Sequence, residues 1–126
     1  MHKVLIIDDD NLNLRLMSAM LEHCGYEVYT SQRGDHGIDM AQSIQPDLII
    51  VDLLMPKATY DGVQAVQTLR SFPQFLMTPI VAVSAADAET IQRLLINGSF
   101  TDFLQKPITL DKLNQLLVRL DQKNTA

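Results

Sequence analysis

At 126 residues, 47% of them hydrophobic and 20% charged, the chain has the size and composition of one ordinary globular domain, too short for a second module and too apolar for disorder. Fifteen acids against ten bases give a net charge of −5, with no lysine and arginine cluster, which argues against direct nucleic-acid binding. Aliphatic runs such as Leu48 to Val51 fall far short of the ~20 residues of a membrane span, no signal-peptide pattern opens the chain, and the lone Cys24 forms no internal disulfide, so a cytoplasmic protein without membrane contact is expected.

In chain order, KVLII (3 to 7) reads as a buried strand that runs straight into Asp8, Asp9 and Asp10. Met17, Met20, Leu21 and Cys24, spaced i, i+3, i+4, i+7, predict a helix packed by one face and closed by Gly25. A second strand, YEVYT (26 to 30), ends in the uncharged Thr30 and Ser31; DLIIV (47 to 51) follows Pro46 and ends in Asp52. PIVAV (79 to 83) ends in Ser84, and a weaker TDFL (101 to 104) is followed by Lys106 and Pro107. Leu113, Leu116, Leu117 and Leu120 predict a last helix, with residues 121–126 as a polar tail beyond a core of about 3–120. His23 falls near a helix C-terminus, where partial positive charge is favourable, His2 and His36 read as exposed, and none has metal-ligand spacing.

Strand and helix alternate five times without repeat or linker, and apolar strands alternating with helices imply a parallel sheet covered on both faces. The expected fold is a single doubly wound α/β domain, whose ligands bind beyond the carboxyl ends of the strands. In a strand order of 2-1-3-4-5, strands one and three are neighbours and Asp52 lies beside Asp8 and Asp9. Carboxylates so close must share protons or hold a cation, and an oxygen-only set with open positions suits Mg²⁺. Lys106 and Ser84 add a point charge and a hydroxyl able to meet phosphoryl oxygens, so the implied chemistry is phosphoryl transfer.

Each piece also has a plainer reading. The aspartates could cap the following helix, Asp52 could be a turn residue, Lys106 a solvated loop lysine, and Ser84 serves equally well as an N-cap. Four strand ends with complementary chemistry are what favour a shared site.

IIDDDN (6 to 11), PDLIIVDLLMP (46 to 56), DG (61 to 62), PIVAVSA (79 to 85) and DFLQKP (102 to 107), in this order, resemble the receiver domain of two-component response regulators, of the chemotaxis-regulator type, over roughly Lys3 to Leu120. The resemblance implies a flavodoxin-like three-layer sandwich. It makes Asp52 the phosphoacceptor for the phosphohistidine of a histidine kinase or phosphotransfer protein. Asp8, Asp9, Asp52 and the Leu54 backbone carbonyl would hold Mg²⁺ (or Mn²⁺). Lys106 would pair with Asp52 and then the phosphoryl group, with Ser84 and Phe103 as switch residues. The output is a bias of the face formed by the fourth helix, fifth strand and fifth helix, read by a downstream effector or a fused output domain. Such a chain is a signalling phosphoacceptor, not a turnover enzyme.

The sequence departs from the family pattern in two places. KATY (57 to 60) puts four residues where two are usual, and Gly98 stands one residue further from the aromatic. Leu54 and Ala86 occupy positions that tune dephosphorylation in the family; neither orients water, so slow intrinsic hydrolysis is expected. The apolar Leu110 to Leu120 face offers a homodimer contact. Competing readings are a degenerate receiver acting as a docking scaffold, a receiver module of a hybrid histidine kinase, an aspartyl-phosphate phosphatase (opposed by Leu54, where a second acid is needed), and a flavodoxin-like cofactor binder (opposed by the acidic first loop).

Overall fold

The computed structural model of the chain describes residues 2–53, 62–85, 87, 89, 93 and 100–124. Strand β1 (Lys3–Ile7) is followed by helix α1 (Asn11–His23), β2 (Glu27–Ser31), α2 (Gly34–Ile44), β3 (Leu48–Asp52), α3 (Gly62–Arg70), a 3₁₀ turn (Pro73–Phe75), β4 (Ile80–Ser84), β5 (Asp102–Gln105) and a C-terminal helix (Leu110–Asn124). All strand pairs are parallel, as expected from the alternation, and their order β2-β1-β3-β4-β5 is the expected 2-1-3-4-5. The stretch expected to hold a helix between β4 and β5 lies mostly outside the described residues, as do the 57–60 insertion, Gly98, Leu54 and Ala86.

Because alternate strand residues point to opposite faces, β1 divides its side chains between two cores. Leu5 and Ile7 join Ile49, Val51, Ile80 and Ala82 under α2 and α3. Val4 and Ile6 join Leu48, Ile50, Val81 and Val83 under α1 and the C-terminal helix. Strands β3 and β4 are buried along their whole length, whereas the edge strands β2 and β5 are partly exposed. That exposure is why TDFL carries the weaker strand pattern.

Strands β2 to β5 each lie one residue later than their sequence patterns suggest. At β2 the cause is the end of α1: Gly25 takes φ +93°, Tyr26 N–H returns to the Leu21 carbonyl, and pairing with β1 begins only when Glu27 N–H meets the His2 carbonyl. The shift makes Asp52 and Ser84 the last residues of β3 and β4 rather than the first of their loops. Cys24 is likewise the residue that ends α1, and the buried stripe of that helix is Leu14, Met17 and Leu21.

Leu113, Leu116 and Leu120 are buried against the chain's own sheet, leaving Leu110 and Val118 as the exposed apolar residues of the C-terminal helix. The leucine stripe read as a dimer face is therefore mostly interior. The helix also continues through Asn124, so most of the tail is helical; Asp121, Gln122 and Lys123 are compatible with helix, and no glycine or proline stops it. Among the described residues no helix is long and apolar enough to cross a membrane.

Candidate functional site

Four of the five strands deliver the site at their carboxyl ends. Beyond Ile7, the Asp8 N–H donates to the Ser31 carbonyl at 3.0 Å, which carries the β1 to β2 ladder one step further and fixes the backbone of Asp8. Asp8 is 1% exposed and Asp52 3%. One carboxylate oxygen from each of Asp8, Asp9 and Asp52 lies within 4.8 Å of the others.

Asp10 has a different task. Its Oδ1 accepts the N–H groups of Leu12 (2.9 Å) and Asn13 (3.3 Å), capping α1, while its own N–H donates to Asp8 Oδ1 at 2.9 Å. The capping interpretation of the aspartate run thus holds for its third member, while the first two turn inward.

Lys106 Nζ donates to Asp52 Oδ2 at 2.9 Å, and its side chain is about a quarter exposed. Burial works against its charge, but the hydrogen bond and charge of Asp52, with the charge of Asp8, outweigh burial and raise its pKa above the ordinary lysine value. Ser84 is 2% exposed, one residue past the Asp52 to Val83 pairing, and its carbonyl accepts the Lys106 N–H at 2.8 Å. Its expected alternative, capping a following helix, falls outside the described residues. Phe103 is half-buried on β5 and packs against the core under α2 and α3.

Gly62 is a contact that sequence reasoning recorded only as part of a motif. A methyl group at Gly62 would overlap the Asp52 carbonyl oxygen and lie 2.9 Å from Leu53 Cα, so only glycine lets α3 start this close to the end of β3.

Asp8 is a buried carboxylate facing a second one. Burial, helped by the charge of Asp52 and opposed by the Asp10 N–H and Lys106, pushes the Asp8 pKa up to about 6. Asp8 Oδ2 is buried and no donor among the described residues reaches it. An Asp8–Asp52 hydrogen bond also raises the Asp8 pKa, the mark of a shared proton in acid, while the all-oxygen cluster with a buried Asp8 oxygen fits a hard divalent ion once the proton is lost.

With this geometry in place, a comparison of sequences decides the family. The sequence profile described as the response regulator receiver domain matches residues 4–118. The chain belongs to the response regulator receiver domain family. This receiver is 32% identical over 116 residues to the signal transduction histidine-protein kinase BarA of Escherichia coli K12, covering 92% of this chain and 12% of that kinase. Among solved structures, the chemotaxis protein CheY4 of Vibrio cholerae superimposes with a TM-score of 0.87 at 30% identity, covering 94% of the receiver and 98% of CheY4. The receiver domain of the sensor histidine kinase PA1611 of Pseudomonas aeruginosa PAO1, solved with magnesium coordinated in its active site cleft, gives a TM-score of 0.83 at 25% identity, covering 94% of this receiver and 95% of that chain.

Proposed function

We propose that the receiver is a signalling phosphoacceptor in which Asp52 takes a phosphoryl group from the phosphohistidine of a histidine kinase or phosphotransfer protein. The observation that carries this reading is the 2.9 Å contact of Lys106 Nζ with Asp52 Oδ2 inside a cluster of three carboxylates. An Asp52 oxygen forms the new O–P bond in line as the P–N bond to the donor ring breaks, and the bonding pair returns to that ring. The product is an acyl phosphate, and the Lys106 ammonium stands where it can follow the negative charge from the carboxylate to the phosphoryl oxygens.

Asp8, Asp9 and Asp52, with the Leu54 backbone carbonyl, are the ligands proposed for Mg²⁺ or Mn²⁺, and the unmet Asp8 oxygen supports that assignment. When bound, the cation neutralises charge on the transferring group. The Ser84 hydroxyl donates to a new phosphoryl oxygen, and Phe103 turns further into the space the Ser84 loop vacates. The face around β5 and the C-terminal helix is thereby biased between pre-existing states. A downstream effector protein or fused output domain in the cytoplasm reads that bias. The apolar Leu54 and Ala86 leave the hydrolytic water unoriented, so the acyl phosphate is long-lived.

The test is intact mass after incubation with Mg²⁺ and a small acyl phosphate. One added phosphoryl group, absent in Asp52→Asn and after chelation, is the expected result; no addition with any donor favours a constitutive docking scaffold. A second reading, a receiver that works within a hybrid kinase, is favoured by the matches to BarA and to the PA1611 receiver, both named as histidine kinases.

A further inference from the structure

The loop that carries Lys106 joins β5 to the C-terminal helix. Thr109 caps that helix: its Oγ1 accepts the Lys112 N–H at 3.2 Å and its carbonyl the Leu113 N–H at 3.0 Å. Lys112 therefore stands third in the helix, in the first turn, where the macrodipole disfavours a cation and where a Glu or Gln usually reaches back to the cap. A lysine at this position breaks the local preference, and such breaks are expected where something else is gained.

The Lys112 side chain folds back over the helix end. Its Nζ donates to the Pro107 carbonyl at 2.9 Å and the Gln105 carbonyl at 3.3 Å, the residues on either side of Lys106. From the opposite edge, Lys106 N–H is held by the Ser84 carbonyl at 2.8 Å. The loop is thus gripped at three consecutive residues, and from the middle one the Lys106 side chain leaves to reach Asp52. A flexible stem with three rotatable donors is suited to bridging two carbonyls at once.

We propose that Lys112 is a positioning residue for Lys106, holding the loop so that the Lys106 ammonium stays where phosphoryl charge develops. The proposal rests on Asp52 being the phosphoacceptor. Lys112→Met keeps the stem and removes the donors; Lys112→Arg keeps charge and donors.

The experiment measures the rate constant of phosphoryl gain from acetyl phosphate at saturating Mg²⁺, by intact mass, in wild type, both Lys112 variants, Lys106→Ala and the Lys106→Ala/Lys112→Met double variant. Lys112→Met should be slowed about 3- to 10-fold and Lys112→Arg less than about 2-fold, with the Met substitution adding nothing once Lys106 is gone. A wild-type rate in Lys112→Met, or the same slowing in both backgrounds, overturns the proposal. Amide hydrogen exchange at Lys106 provides a readout that does not depend on phosphorylation. Faster exchange in Lys112→Met supports the grip and unchanged exchange overturns it, even if wild type gains no phosphoryl group and the Asp52 reading falls on its own.

Discussion

Gly62 and Asp52 touch through their backbones: the first residue of α3 lies so close to the last residue of β3 that a single added methyl would collide with the Asp52 carbonyl. The helix start and the proposed phosphoacceptor are therefore in direct contact. Gly62→Ala must either push α3 outward or displace Asp52 from Lys106. It should cost about 1–3 kcal/mol of stability, the usual range for forced overpacking, and slow phosphoryl gain. Urea unfolding and the intact-mass rate check both; a variant matching wild type in each would sink this view of the contact.

Asp8 makes the metal-free protein sensitive to pH. Its carboxyl keeps a proton up to about pH 6 when folded, but in the unfolded chain only to the ordinary carboxyl value near 3.8. Between those values the native state holds the extra proton, so this group's contribution makes stability fall as pH rises from about 4 to above 6. Asp8→Asn should flatten that dependence and, with chelator present at pH 7.5, stabilise the fold by of order 1–3 kcal/mol. The same variant should bind Mg²⁺ more weakly. Urea midpoints at pH 5 and 7.5, with chelator and with Mg²⁺, give the comparison.

Asp10 should behave unlike its two neighbours. Its side chain caps α1, so Asp10→Ala should cost about 1 kcal/mol and leave Mg²⁺-dependent phosphoryl gain in place. Asp9→Ala should instead abolish the metal dependence. Loss of phosphoryl gain in Asp10→Ala, with the fold intact, would assign the third aspartate to the site.

Arg70 provides a control at the far end of the sheet. It closes α3 by donating to the carbonyls of Phe75 and Thr78 (2.7 Å) and to the Thr101 hydroxyl (3.4 Å), which also accepts the Ile80 N–H at the start of β4. Arg70→Met takes a charged donor from each of these acceptors, of which the Phe75 carbonyl keeps the Thr78 N–H and the Thr101 hydroxyl the Ile80 N–H, and should cost about 1–3 kcal/mol. The phosphoryl-gain rate, measured well below the unfolding midpoint, should stay at the wild-type value, because the site lies at the opposite ends of these strands.

The central strands were legible because a strand buried on both faces must be aliphatic without a break, and Leu48 to Val51 and Ile80 to Val83 are. Their ends were less so. Asp52 and Ser84 look like loop residues by polarity, yet their backbones still pair, since hydrogen bonding in a ladder does not depend on the side chain. The gathering of Asp8, Asp9 and Asp52 followed from a 2-1-3-4-5 strand order, which the alternation by itself does not fix, and the pairing of Lys106 with Asp52 from the family resemblance. The separate task of Asp10 did not, because side-chain direction decides between cap and ligand and three identical residues carry no mark of it. Gly62 and Lys112 act through contacts set by how helices meet strands, which no periodicity records. Lys112 did leave one trace, a cation in the first turn of a helix.

Strand β3 is the middle of five, paired on both sides and buried on both faces. Asp52 is its final residue, and the next backbone N–H, that of Leu53, is still bonded to the Val83 carbonyl. Core strands so placed are the ones whose opening free energies approach that of the whole domain. On the proposed reading the phosphoacceptor is therefore carried by the most fully paired strand of the sheet, and signal-bearing surfaces rearrange around it. Loading, on that reading, requires the folded sheet, so a preparation can be loaded with phosphoryl groups at most to the extent that it is folded.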